Sequence, residues 1–178
     1  MFFPSHTFSN SSPLRWVSWN PLDHGYYKVN VNGASKGNPG PSAIGGICRN
    51  SSASVVGRFS MGTGMVHAIV VEALAIRFAL IWAEDLGLSH IVVESDNLML
   101  VNILNRSSLA CPWRISSIVA DCWLLQERFS SVLFRHPLQE GNVVADFLAS
   151  SAATLQLPVL LFTSPPPSFY PLLLADCA

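Results

Sequence analysis

Along residues 26–32 apolar and polar side chains alternate, with Val29 and Val31 set between Lys28, Asn30 and Asn32. A period of two is that of a half-buried strand. "SAIGGICRN" and "SVVGRFSMG" read as two further strands around the turn-rich "NSSAS", so the three form an antiparallel meander. The period then changes. "HAIVVEALAIRFALIWAEDLG" is helical by length and by its Ala and Leu content, and Gly87 ends it. It is apolar almost all round, which predicts burial on more than one face.

"HIVVES" predicts a short buried strand, and "DNLMLVNILN" a helix capped by Ser95 or Asp96. "PWRISSIVADCWLLQERF" has apolar residues at helical spacing, with Pro112 suited to its first turn. "SVLFRHP" is a fifth strand, and "GNVVADFLASSAA" an amphipathic helix with Asn142 as N-cap. The predicted order β-β-β-α-β-α-α-β-α is that of an α/β unit, a mixed sheet covered by helices.

Around this unit the pattern loosens. Residues 1–21, rich in Ser, Pro and Asn, read as a poorly ordered leader, and residues 22–153 as the domain. Residues 154–178 form a hydrophobic tail whose five prolines are expected to deny it a regular element. The leader lacks a basic stretch followed by a continuous apolar one, so it is not read as a signal peptide. No run reaches the ~18 apolar residues of a membrane span.

Composition narrows the function. The chain has 178 residues, enough for one domain with a core; half are hydrophobic and 12% are charged. Ten Lys and Arg against eleven Asp and Glu give no global attraction to a polyanion, so nucleic-acid binding must come from local patches. Cys48, Cys111, Cys122 and Cys177 have no zinc spacing and read as reduced packing thiols of an intracellular protein.

Three acids stand out. Glu72 is the only charge between His67 and Arg77, and a buried carboxylate needs a cation or a wet cleft; the plain alternative is a solvent-facing helix position. Asp96 follows a strand, where α/β sheets place their sites, or it caps the next helix. Asp146 lies four residues after Asn142 and is otherwise an ordinary surface acid. Converging at one sheet edge, such side chains could hold Mg²⁺ and support in-line attack on a phosphodiester. Asn32-Gly33 also has two readings: a tight hairpin turn, or a strand end where an amide has replaced a carboxylate.

Read together, "VNVNGASKGNPGPSAIGGICRN", "VVEALAI", "VVESDN" and "RHPLQEGNVVADFLA" resemble the type 1 ribonuclease H domain of plant retroelement-derived proteins over about residues 26–153. The resemblance implies a five-stranded sheet with strands one to three antiparallel, and Mg²⁺-dependent cutting of the RNA strand of RNA/DNA hybrids by a two-ion site. It implies Glu72, Asp96 and Asp146 as catalytic metal ligands, and His136 as a catalytic group that activates water or moves protons. Gly33, Ala34, Lys36, Asn38 and Asn142 would contact nucleic acid. Asn32 stands where the family has its first metal-binding aspartate, so activity is expected to be much reduced or absent. With few basic residues, hybrid binding is expected to be weak and salt-sensitive. A monomer with no membrane association is expected. The competing reading is a module that binds nucleic acid or protein without cutting.

Overall fold

The computed structural model describes residues 22–107, 110–137, 139–155 and 160–162. The leader, most of the tail and Cys177 lie outside them. Strands β1 (Tyr27–Ser35), β2 (Gly40–Arg49) and β3 (Val55–Val66) are followed by helix α1 (Ala68–Asp85) and strand β4 (His90–Ser95). Then come α2 (Leu98–Leu104), α3 (Ser116–Gln126), β5 (Ser131–Arg135), a 3₁₀ turn (Gln139–Asn142), α4 (Val143–Leu155) and β6 (Leu160–Phe162). The nine predicted elements all form, in the predicted order.

The sheet order is β5-β4-β1-β2-β3-β6. β1 pairs antiparallel with β2 and parallel with β4, so it lies inside the sheet. Its alternation therefore becomes two buried faces. Val29 and Val31 enter the main core with Val71, Ile76 and Leu80 of α1, where Phe59 packs against Phe78 and Trp82. On the other face Ile47, opposite Asn30, packs with Val144 and Leu148 of α4. At Gly45, opposite Asn32, a β-carbon would stand 2.4 Å from the Ala149 nitrogen. Glycine thus lets α4 lie directly on β2.

Of the two readings of Asn32-Gly33 the strand end holds: β1 runs on to Ser35, the chain turns at residues 36–39, and the Lys36 N–H closes the turn onto the Pro41 carbonyl at 2.9 Å. Three local expectations need correction. The cap of α2 is Asn97, whose side chain accepts from the Leu100 N–H at 3.1 Å, so Ser95 and Asp96 are not its caps. Pro112 precedes α3 in a separate turn, its carbonyl accepting from the Ile115 N–H. The tail does form a regular element: residues 160–162 add β6 antiparallel to β3. Three residues between the prolines suffice to pair an edge, and they extend the expected five strands to six.

Candidate active site

The site grows from the end of β1, where that strand continues past the last residue paired with β4. Val31 is the final β1 residue paired with β4, opposite Ser95. Asn32 and Gly33 therefore have one side free of backbone neighbours. Into that opening come α4, α1 and the segment after β4.

Asn32 is 5% exposed, and its Nδ2 donates to Asp146 Oδ1 at 2.8 Å. Asp146 sits in the first turn of α4, where the unpaired backbone N–H groups favour negative charge. The Gly33 N–H, freed from the ladder, is shared between Asn32 Oδ1 at 3.0 Å and Glu72 Oε2 at 3.3 Å. Only glycine permits this approach: a β-carbon on Gly33 would stand 2.6 Å from the backbone nitrogen of Glu72.

Glu72 is half-buried in the first turns of α1 rather than turned to solvent. Burial pushes its carboxyl up to about 8; the charges of Asp96 and Asp146 add to this, while the Gly33 N–H opposes it. Asp96 also titrates above its ordinary value, through burial first and the charge of Asp146 thereafter, with His136 pulling the other way. His136, exposed after β5, places Nε2 2.9 Å from the Asp96 carbonyl oxygen. Glu72, Asp96, His136, Asp146 and Asn32 are thus brought to one end of the sheet, from five different segments.

The residues expected to contact nucleic acid divide. Lys36 is exposed in the loop after β1. Asn38 is occupied: its side-chain oxygen accepts from the Ala68 N–H at 3.0 Å and meets His67 Nδ1 at 3.1 Å, capping α1. Ala34 packs against Ala43, Ala152 and Ala153. Asn142 is 2% exposed; its Nδ2 donates to the Val31 carbonyl at 2.9 Å, while its Oδ1, the atom an N-cap uses, has no hydrogen-bond partner among the described residues, so it does not cap α4.

One group of residues was missed from the sequence. Directly beside the acids, Glu94 is buried with Lys28, Asn30 and Arg49. Its Oε1 pairs with Lys28 Nζ at 3.0 Å and its Oε2 accepts from Asn30 Nδ2 at 2.8 Å. The signal was present in the alternation, since Lys28, Asn30 and Asn32 share a strand face that the interior position of β1 forces under cover.

Three carboxylates and an amide oxygen are hard-oxygen donors of the kind Mg²⁺ takes. The arrangement nevertheless does not fit the ion. Among the described residues no three His, Cys, Asp or Glu side chains stand together as a metal site. Asp146 Oδ1 accepts from the Asn32 amide, and Asn32 Oδ1 already accepts from Gly33. The two-ion centre implied by the resemblance is not assembled by these side chains.

Residues 30–152 match the model of the reverse transcriptase-like family. Over 162 residues, 91% of the chain, there is 29% identity to an Arabidopsis thaliana protein named for ribonuclease H, of which the chain spans 26%, about a quarter. Ribonuclease H1 from the halophilic archaeon Halobacterium salinarum superposes with a TM-score of 0.70 at 24% identity, covering 75% of this chain and all of that one. LC11 ribonuclease H1, from compost and in complex with an RNA/DNA hybrid, gives 0.69 at 20% identity, covering 73% and 98%. At these identities the two structures establish a shared fold.

Proposed function

Because the chain belongs to the reverse transcriptase-like family and carries its ribonuclease H-like domain, we propose that it binds RNA/DNA hybrids while cutting the RNA strand very slowly or not at all. The observation that carries this reading is the 2.8 Å bond from Asn32 Nδ2 to Asp146 Oδ1. Two carboxylates at that separation would call for a cation between them, whereas an amide and a carboxylate satisfy each other. Hybrid contacts need no catalysis, because sugar hydroxyls and phosphates are held by hydrogen bonds. Lys36 and the exposed loop at residues 36–39 are the groups open to such contact. In this reading His136, whose Nε2 lies 2.9 Å from the Asp96 carbonyl oxygen, moves a proton at the site's rim.

In this reading the wider chain is a retroelement-derived relative that keeps the fold after losing most of its chemistry. The test pairs hydrolysis of an RNA/DNA hybrid in Mg²⁺ with hybrid binding, for the natural protein and for Asn32→Asp. The variant should cut at least about tenfold faster, the equivalent of ~1.4 kcal/mol in the barrier, while both bind alike with affinity falling steeply as salt rises. Equal hydrolysis rates would refute the role given to Asn32. Absence of hybrid binding at low salt would instead favour an interaction module that keeps only the fold.

A further inference from the structure

We infer that Asn30 and Glu94 form a buried positioning device that sets where Asp146 meets Asn32. Asn30 is 2% exposed, Lys28 4%, Arg49 1% and Glu94 8%. Both Glu94 oxygens are matched, by Lys28 Nζ and by Asn30 Nδ2. Arg49 Nη1 donates to Asn30 Oδ1 at 3.4 Å, so the Asn30 amide is held at its oxygen as well. A buried carboxylate tolerates few alternative arrangements, because each lost partner leaves charge stranded in a poorly solvating interior.

The consequence lies in what else Asn30 touches. Its Nδ2 also donates to the Gly141 carbonyl at 3.4 Å. The next residue, Asn142, donates to the Val31 carbonyl, and Asp146 then accepts from Asn32. Three successive β1 residues thus take hold of the 3₁₀ turn and the start of α4, in the order 30 to 141, 31 to 142 and 32 to 146. From Asn30 to Asn32 the strand advances about 6.7 Å, and the five residues from Gly141 to Asp146 advance about 7.5 Å at the helical rise. A register fixed at Gly141 and Asn142 therefore persists to Asp146. Glu94 also stands two residues before Asp96 on β4, so the same network touches the strand that delivers the second acid. The device depends on geometry alone; only its effect on cutting rests on the function proposed above.

The experiment reads the Asn32 side-chain amide by ¹⁵N nuclear magnetic resonance. In the natural protein its proton bonded to Asp146 should be shifted and protected from exchange. Asn30→Ala should speed that exchange about tenfold, the worth of one hydrogen bond to a charged group, with the β1–β2 ladder amides still protected. Ser60→Ala is the control for simple loosening of α4, because Ser60 Oγ donates to the Leu148 carbonyl at 2.9 Å on another strand. It should lower stability and leave the Asn32 amide as it was. Glu94→Gln keeps the shape and one acceptor, so it should give a smaller change in the same direction, and it carries the test should Asn30→Ala not fold. An unmoved Asn32 amide in Asn30→Ala or Glu94→Gln, or an equal change in Ser60→Ala, would overturn the inference. In the Asn32→Asp background, Asn30→Ala should also cut hybrids more slowly than its parent. An inactive parent would count against the proposed function, while the resonance result would still decide the positioning role.

Discussion

Replacing Asn32 with aspartate removes a hydrogen bond and sets two carboxylates where an amide now meets Asp146 at 2.8 Å. The lost bond to a charged group is worth about 1.5–3 kcal/mol. Two full charges at that distance would repel by about 6 kcal/mol at an effective dielectric of 20. Asp146 is exposed, however, so solvent screens it and the side chain can swing away. Protonating one carboxyl is a second escape, and from an ordinary pKa near 4 it costs about 4 kcal/mol at pH 7. The net loss should therefore be about 2–4 kcal/mol, or a melting temperature lower by roughly 5–15 °C.

The perturbation also creates what the natural protein lacks, a pair of carboxylates facing each other beside Glu72. Millimolar Mg²⁺ should raise the variant's melting temperature by several degrees through binding the folded state only, and the natural protein's hardly at all. In the variant two like charges side by side disfavour the doubly ionised folded form. That repulsion is relieved once either acid is protonated, so the gap to the natural protein should narrow as pH falls toward ~4. Thermal unfolding followed by circular dichroism, with and without Mg²⁺, measures all of this. The reasoning fails if the variant is as stable as the natural protein at pH 7 without the ion, or if Mg²⁺ stabilises both equally.

The titration of Glu72 gives a second test. Its folded carboxyl is raised to about 8 from an ordinary 4.5, so the natural protein should lose stability as pH climbs between those values. Glu72→Gln should flatten that slope and be the more stable protein at pH 8, as read from denaturant midpoints. Gly33→Ala should destabilise by about 1–3 kcal/mol, since its β-carbon would collide with the α1 backbone; urea unfolding that matches the natural midpoint would contradict the close approach. Burial holds the Cys48 and Cys122 thiols up to about 12. Mass-mapped thiol labelling at pH 8 should therefore leave both unmodified until the protein is unfolded.

Element type was legible wherever neighbours in the chain decide it. The alternation at residues 26–32, the long apolar run at 68–85 and the short run at 90–95 each state a period, and each formed as read. The ends were less legible because several residues compete for them. Ser95, Asp96 and Asn97 are all good caps, and only the placement of α2 selects Asn97. Asn142 is likewise a sound cap by chemistry, but the bond from its amide nitrogen to the Val31 carbonyl across the molecule sets its orientation, and its Oδ1 meets no helix N–H.

The acids show the same division. Glu72, Asp96, His136 and Asp146 could be picked out and their meeting expected, through motifs whose order along the chain is enough to suggest a family. That Asn32 is an amide was plain from the letter alone. What it does there was not, since the bond to Asp146 joins residues 114 positions apart. The Lys28, Asn30 and Glu94 network was hidden for a related reason: a polar strand face looks solvent-bound until β1 proves to be interior and α4 covers it. Local sequence sets conformational period and chemical type because these depend on adjacent residues. Burial, hydrogen-bond partners and the charge felt by Glu72 depend on which segments lie side by side, and only the folded chain settles that.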